Sequence, residues 1–322
     1  MMGRHHARIL QSNPAMRFAG AVDPGGDRFG AVRDRALLFD GVDALLSAPG
    51  GAPDFAVVAV PTEEHVAVAR ALAQAGVHLL IEKPLAATSE EAREIIAAVR
   101  AAGVHGAVGH VERCNPALRA LRDRVQEGQL GEVYMVATER VGPFPDRVKD
   151  VGVVKDLATH DLDLVRWLGG APIERVAAQT QHRMGREHED LVLVTGRLGN
   201  GRAFNAVVDW LTPTKVRRTR VLGEGGMLVA DTLSADLYFY ANAHVPTAGW
   251  PEAAARRGVA EGDMTRYALE RREPLAVELE SFCALIGGDD GAGVVSLQEG
   301  LETVAVAEAV LESARSGETC AL

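Results

Sequence analysis

Hydrophobic positions follow two different patterns along the chain. In its first part, four short and almost continuous apolar runs lie at residues 18–22, 54–60, 77–81 and 105–109. Runs of this length without polar alternation are typical of strands buried on both faces, as in a parallel sheet. Helical segments separate the last three runs. The order strand, helix, strand, helix, strand predicts a doubly wound parallel sheet with right-handed crossovers.

The segments between these runs carry helix signals. Thr62 can cap a helix that has two glutamates in its first turn, and Gly76 ends it. Thr88 and Glu91 form a capping-box pattern, which opens a second, alanine-rich helix that runs to residue 103. These helices supply the crossovers that a parallel sheet requires.

After residue 109 apolar and polar residues begin to alternate. Turn signals interrupt the alternation over residues 176–239, and Asn200-Gly201 between two such runs is a strong hairpin signal. Helices are predicted at 115–128 and from a capping box at 296–299 onwards. We therefore expect an antiparallel sheet with helices on one face in the second part of the chain.

The segment 241–264 is rich in Ala, Gly and charged residues and has no periodic pattern. We expect it to be a loop.

Composition places the protein among globular chains with an ample core. Of its 322 residues 47% are apolar, which suggests roughly two domains and argues against disorder. The 34 Lys and Arg face 44 Asp and Glu, and a net charge of −10 disfavours a broad nucleic-acid surface. Three scattered cysteines suit a reducing cytoplasm, and no run reaches the roughly 18 apolar residues of a membrane span. We expect a cytoplasmic protein with neither nucleic-acid nor membrane partners.

Although the chain is acidic overall, it contains one cluster of basic residues, at Lys215, Arg217, Arg218 and Arg220. A strand with solvated basic positions explains it. A phosphate-bearing substrate or another subunit would also use such a cluster, so three interpretations remain open.

The third apolar run ends on charge, with Glu82 and Lys83 followed by Pro84. Open α/β sheets bind their ligands beyond the carboxyl ends of the strands. Pro84 has no N–H to donate to the sheet and holds the backbone of Lys83 in an extended conformation. The lysine should therefore leave the strand in one fixed direction. A solvated turn would explain these residues alone, but the surrounding pattern favours a site.

Asp23 follows the first apolar run and precedes Pro24 and Gly25. An acidic residue after the second strand of a dinucleotide fold accepts hydrogen bonds from the adenosine ribose and repels a 2′-phosphate. This interpretation favours NAD over NADP. Asp-Pro-Gly is equally a turn sequence, so both interpretations stand.

Asp156 and His160 lie four residues apart on a helix that the apolar spacing predicts over residues 155–168. They share a face near the helix start, where a carboxylate and an imidazole could reach one substrate. A structural aspartate and an ordinary surface or core histidine explain the same pair. Asp161 and Asp163 are expected to be solvated or structural.

Together these motifs resemble the Gfo/Idh/MocA oxidoreductases, the relatives of glucose-fructose oxidoreductase and inositol dehydrogenase. The resemblance covers essentially the whole chain. It implies an N-terminal Rossmann domain at residues 1–114 and a C-terminal α+β domain for substrate binding and oligomerisation at 115–322. The second domain should contain a large, mostly antiparallel open sheet, through which we expect a homodimer or homotetramer to form.

The resemblance also implies roles for single residues. Lys83 orients and polarises the reacting hydroxyl, His160 is the acid/base, and Asp156 holds the substrate or tunes His160. The implied cofactor contacts are Met2, Gly3, Asp23, Pro61, Thr62, His65, Glu82 and Lys83, and the implied substrate contacts also include Arg113 and Asn115. These roles fit alcohol oxidation, because histidine titrates near working pH and a lysine stabilises developing alkoxide charge. NAD supplies the redox chemistry, so no metal is required.

Within the family, residues 109–116 and 150–157 look most like UDP-N-acetylglucosamine 3-dehydrogenases and related sugar-nucleotide enzymes. We expect NAD-dependent oxidation of a secondary hydroxyl of a sugar or sugar nucleotide, with C3 of a UDP-N-acetylhexosamine as the candidate position. An inositol or free-sugar dehydrogenase is the nearest alternative, because pocket residues tune substrate choice on a shared fold. A dinucleotide-binding regulator or an inactive truncated paralogue is the alternative of another class. A pure sensor has no need of Lys83, Asp156 and His160 together.

The sequence departs from the family pattern at its start. The family opens with an apolar strand and a G-x-G-x-x-G turn, whereas Gly3 corresponds only to the last glycine, after Met1 and Met2 at variable positions. The missing strand would lie in mid-sheet, and the missing glycines let the backbone approach a pyrophosphate. We therefore expect the reading frame to begin upstream of Met1, with an apolar strand ending in G-x-G. The chain as it stands should fold poorly and bind NAD weakly.

Overall fold

A computed structural model of the protein describes residues 2–145, 151–243, 261–289 and 293–322. These residues form two compact units. The first contains Met1–Val111 and Glu273–Ala305, and the second contains Glu112–Arg272 and Val306–Leu322.

The first unit is built on a parallel sheet of β3 (Phe55–Val58), β4 (His78–Glu82) and β5 (Gly106–Gly109), with the short β14 (Val295–Ser296) antiparallel to β5. Leu79 and Ile81 of β4 are buried in one apolar cluster, while Leu80 is buried in another. Since successive side chains of a strand point to opposite faces, β4 is covered on both. The predicted doubly wound parallel sheet is confirmed.

Four helices and a second, two-stranded parallel sheet also belong to this unit. They are α1 (Gly3–Ser12), β1 (Ala21–Val22), β2 (Leu38–Phe39), α2 (Val42–Leu46), α3 (His65–Gln74) and α4 (Ser89–Ala102). Both hydrogen bonds of the capping box at the start of α4 are present: the side chain of Thr88 accepts from the N–H of Glu91, and the side chain of Glu91 accepts from the N–H of Thr88. Gly103 ends the helix in the left-handed conformation. The expected cap by Thr62 is wrong, because a 3-10 turn at Thr62–Glu64 precedes α3 and no side chain caps it.

The structure differs from the predicted domain division at residues 273–305. These residues form α7 (Pro274–Ile286), β14 and the start of α8 (Leu297–Ser316). Phe282 of α7 is fully buried in the cluster that contains Leu80, and its ring meets Phe55 edge-on with centroids 5.7 Å apart. The segment therefore packs with the first unit, although it follows the second unit in sequence.

The second unit contains a nine-stranded sheet in the order β13-β12-β11-β10-β6-β9-β8-β7-β15, antiparallel except for the pair β6 and β9. Its elements are α5 (Pro116–Gln126), β6 (Val133–Pro143), α6 (Thr159–Gly169), β7 (Ile173–Gln181), β8 (Leu191–Leu198), β9 (Ala203–Asp209), β10 (Leu211–Gly223), β11 (Gly226–Asp231), β12 (Asp236–Asn242), β13 (Glu261–Tyr267) and β15 (Cys320–Ala321). Alternate strand residues pack with α5 and α6 in one core, so the expected mostly antiparallel sheet is confirmed.

The predicted hairpin at Asn200-Gly201 joins β8 to β9, and Gly201 has a positive φ of 85°. The predicted loop at 241–264 is wrong at both ends. Residues 241–242 belong to β12 and residues 261–264 to β13, which pair with each other, whereas 244–260 lie outside the described residues. Across the part of the chain that the structure describes, no helix is long and apolar enough to cross a membrane.

Candidate active site

The exit of β4 places Lys83 as the sequence predicts, directly after a buried strand. Glu82, the last residue of β4, is only 8% exposed, and Lys83 is half-buried. The Oε2 atom of Glu82 accepts a hydrogen bond of 3.3 Å from the backbone N–H of Lys83. The carboxylate thus bends back on the strand end, and the implied cofactor contact of Glu82 stays a prediction.

Asp23 lies at the exit of β1, with an exposed side chain. Its Oδ1 accepts a 2.8 Å hydrogen bond from the N–H of Gly25, and its own N–H donates to the carbonyl of Phe39. The residue therefore forms the turn that Asp-Pro-Gly predicts. Its carboxylate also faces solvent at the strand end, where an adenosine ribose would need an acceptor.

The start of α1 suits a dinucleotide pyrophosphate. Met2 precedes the helix, its carbonyl accepts from the N–H of His5, and the first turn contains no acidic residue. The positive end of a helix with no competing carboxylate favours a phosphate group, and Gly3 adds no side chain there. With the exposed carboxylate of Asp23, these residues fit NAD.

His65, an implied cofactor contact, is 1% exposed. Its Nδ1 lies 3.1 Å from the carbonyl oxygen of Leu85, and its Nε2 lies 3.2 Å from that of Val60. The ring therefore joins the exits of β3 and β4. Pro61 and Thr62 lie on the turn that leaves β3, so contact of this segment with the cofactor stays a prediction.

In the second unit, the helix predicted from residue 155 begins irregularly. Val154–Ala158 form a π-helical turn, in which the N–H of Thr159 donates to the carbonyl of Val154, and α6 follows. Asp156 lies on this turn and His160 in the first turn of α6, both half-buried. Single π-helical turns are rare and often occur at functional sites, and hydrophobic spacing does not reveal them.

Two buried aspartates on either side of Leu162 fix the helix that carries His160. Asp161 is 2% exposed and accepts from Arg140 Nε at 2.6 Å. Asp163 is 1% exposed and accepts from both Nε and Nη2 of Arg113. Of the two alternatives predicted for these aspartates, solvated or structural, the structural one is confirmed.

Arg140 also donates to Glu112, at 2.8 Å, so that one guanidinium serves two carboxylates. Burial raises the pKa of Asp161, and Arg140 opposes that shift. Burial would raise the pKa of Glu112 as well, but the charge of Arg140 and its hydrogen bond hold that pKa below its usual value. The network therefore joins two carboxyl groups to one buried guanidinium beside the start of α6.

Sequence reasoning missed Glu189, which holds the start of the π-helical turn. Its Oε1 accepts from the N–H of Val154 at 2.9 Å, and its carbonyl accepts from the N–H of Val153 at 3.0 Å. A Cβ atom at Gly152 would lie 2.0 Å from Glu189 Oε1, so any other residue there would displace the Glu189 carboxylate. The glycine in the segment that leads to Asp156 was the available signal, and its partner lies 37 residues further along.

Arg113 and Asn115, the implied substrate residues, have structural contacts. The side chain of Arg113 is 4% exposed and bound to Asp163. Asn115 accepts from the N–H of Ala117 as the predicted helix cap and donates to the carbonyl of Thr232. Substrate binding by either residue stays a prediction.

We expect Arg113→Met to lower the free energy of unfolding by about 3–5 kcal/mol, because it leaves the carboxylate of Asp163 buried without its main partner. Urea denaturation followed by circular dichroism would measure the change. The double variant Arg113→Met/Asp163→Leu should recover most of the loss. A single variant as stable as the unchanged protein would contradict the ion pair.

The basic cluster lies on β10. Arg217 is partly buried and donates to the carbonyls of Val141 and Val216, while Lys215, Arg218 and Arg220 are exposed. Burial and the neighbouring charge of Arg140 lower the pKa of Arg217. Three solvated positions on a strand match the first interpretation of the cluster.

The first unit has a parallel sheet with a lysine at a strand exit, and the second is an α+β unit with Asp156 and His160 at the start of α6. This is the arrangement expected of a nicotinamide-dependent oxidoreductase. The family model "Oxidoreductase family, NAD-binding Rossmann fold" matches residues 1–110, and the model "GFO/IDH/MocA C-terminal domain" matches residues 118–229. The chain belongs to the Gfo/Idh/MocA family and is an NAD-binding oxidoreductase.

Several relatives and solved structures are similar to this chain. UDP-N-acetylglucosamine 3-dehydrogenase of Acidithiobacillus ferrooxidans is 31% identical over 97% of this chain and 96% of its own length. A solved structure of the enzyme of that name and organism superposes with a TM-score of 0.82 at 30% identity, covering 98% of this chain and 95% of its own. An inositol 2-dehydrogenase of Corynebacterium glutamicum is 29% identical over 62% of this chain and 57% of its own length.

Proposed function

We propose that this oxidoreductase removes a hydride from a secondary hydroxyl of a sugar or sugar nucleotide, with C3 of a UDP-N-acetylhexosamine as the candidate position. The similarity to a UDP-N-acetylglucosamine 3-dehydrogenase along almost the whole length of both chains carries this proposal. The other relative named above, an inositol dehydrogenase, matches a smaller share of the chain.

Three side chains would serve the reaction. Lys83 orients the hydroxyl and stabilises the charge that develops on its oxygen. His160 accepts the hydroxyl proton, and Asp156 orients the substrate or the imidazole. NAD would supply the hydride acceptor, and Asp23 would hold its ribose while the start of α1 would hold its pyrophosphate.

The experiment that tests this function measures NADH formation at 340 nm with a panel of UDP-sugars, free sugars and inositols. We expect the largest kcat/KM with a UDP-N-acetylhexosamine. The largest kcat/KM with an inositol or a free sugar would establish the alternative dehydrogenase. No turnover with any of them, together with tight NAD binding, would favour the dinucleotide-binding regulator.

Asp23 should make NAD the preferred cofactor. We expect kcat/KM to favour NAD over NADP by about tenfold or more, equivalent to about 1.4 kcal/mol, because a 2′-phosphate would meet the carboxylate. Asp23→Ser should narrow the gap. Asp23→Asn should reduce the preference for NAD as well, because it removes only the charge and retains an oxygen for the N–H of Gly25. Equal kcat/KM values for the two cofactors in the unchanged protein would contradict the assignment.

We also propose a cytoplasmic homodimer or homotetramer that assembles through the large sheet. On the face of that sheet opposite the core, Leu193, Tyr240 and Met264 are 41–56% exposed. Exposed apolar side chains on a broad face favour association. Light scattering coupled to size-exclusion chromatography would measure the mass in solution, and a monomer would contradict the proposal.

A further inference from the structure

Three titratable side chains of the first unit are buried around the strand end that leads to Lys83. They are His6 on α1, Glu82 on β4 and Glu278 on α7, with exposures of 2%, 8% and 4%. The Nε2 atom of His6 lies 2.7 Å from Oε1 of Glu82. Because a carboxylate only accepts hydrogen bonds, Nε2 carries the proton and donates it.

Glu82 connects this histidine to the backbone of Lys83. Its Oε1 accepts from His6, and its Oε2 accepts from the N–H of Lys83 over 3.3 Å. The second bond is long, so the orientation of the carboxylate depends mainly on His6. A Cβ atom at Gly109 on the next strand would lie 3.4 Å from Cα and Cδ of Glu82, so the folded-back carboxylate packs directly against this strand.

Glu278 gives Glu82 no compensating charge. Burial and the charge of Glu82 raise the pKa of Glu278 well above its usual value, and a carboxyl group in either protonation state carries no positive charge. Among the described residues, Oε2 of Glu278 and Nδ1 of His6 have no hydrogen-bond partner. His6 is therefore the principal donor to this buried carboxylate, which without His6 would lose its shortest hydrogen bond.

We propose that His6 is a positioning residue, which fixes the backbone at the exit of β4 through Glu82 and so sets the direction in which Lys83 leaves the strand. The inference rests on the role proposed for Lys83 in the reaction. His6 itself takes no proton from the substrate. A displacement of the reacting groups by about 1 Å lowers the rate of the chemical step by about 10²-fold. Loss of the hydrogen bond between His6 and Glu82 should therefore have a measurable effect on kcat.

Two amide variants separate this role from a general effect on folding. The amide nitrogen of His6→Gln reaches the position of Nε2 and can donate to Glu82, whereas that of His6→Asn is one bond shorter. We expect kcat to fall about 10²-fold in His6→Asn, and to stay close to that of the unchanged protein in His6→Gln. His5→Asn is the matched control on the same helix, because the side chain of His5 bonds to exposed Arg4.

A second measurement needs no substrate. Hydrogen exchange followed by mass spectrometry, on the protein without added ligand, reports the backbone amides of residues 79–86. His6→Asn should raise exchange in this peptide, whereas His6→Gln and His5→Asn should leave it unchanged. Equal exchange in all four proteins would overturn the proposal.

A double-variant cycle connects His6 to Lys83. If His6 acts through Lys83, His6→Asn should have no further effect on the residual rate of Lys83→Ala. If the fold losses in kcat of the two single variants multiply in the double variant, the positioning role is overturned. A normal kcat in His6→Asn, with a reduced kcat in Lys83→Ala, would overturn it as well. An unimpaired Lys83→Ala would instead contradict the proposed role of the lysine, and the exchange measurement would still decide whether His6 fixes the strand end.

Discussion

Lys83→Ala is expected to lower kcat by about 10²–10³-fold, the range found when a preorganised donor to a developing negative charge is removed. The side chain leaves the carboxyl end of β4, where open α/β sheets bind their ligands, and the fold holds its backbone through Glu82. Steady-state kinetics with the best substrate of the panel would measure the loss.

The affinity for NAD should change little in the same variant, because Asp23 and the start of α1 supply most of the proposed contacts. Fluorescence titration with NADH provides this control. Lys83→Arg keeps the charge, but its planar guanidinium has a different donor geometry, so we expect only partial recovery of kcat. Near-normal turnover of Lys83→Ala would remove the lysine from the mechanism.

Local signals in the sequence were sufficient for much of the first unit. The uninterrupted apolar run at β4 predicts a strand covered on both faces, because no polar face is available to meet water. The capping boxes at Thr88 and Ser296 identify two helix starts, since cap and partner lie three residues apart and need no tertiary contact. The position of Lys83 directly after β4 was predictable, because Pro84 and the end of an apolar run are both local features of the sequence.

Long-range partners explain what the sequence did not reveal. Asp163 was predicted to be solvated or structural, and only its contact with Arg113, 50 residues away, shows that it is buried and paired. No local feature of the sequence distinguishes His6, because its partner, Glu82, lies 76 residues further along. That residues 273–305 belong to the first unit was not predictable for the same reason. Only the packing of Phe282 in the core of that unit shows it.

His160→Asn is expected to abolish most of the activity, about 10²–10⁴-fold, because an asparagine cannot accept the hydroxyl proton. In the unchanged protein the oxidation rate should fall on the acid side between about pH 6 and 8, since a protonated imidazole is no longer a base. The variant should lose this acid limb, and the residual rate should depend little on pH across that range.

Profiles of kcat/KM against pH for both proteins would show whether the limb belongs to His160. His182→Asn, at an exposed position of the same unit, is the matched control and should keep both the rate and the limb. Because Asp161 and Asp163 fix α6 through Arg140 and Arg113, replacing the half-exposed His160 should not displace the helix. An unchanged acid limb in His160→Asn would therefore assign the proton transfer to another group.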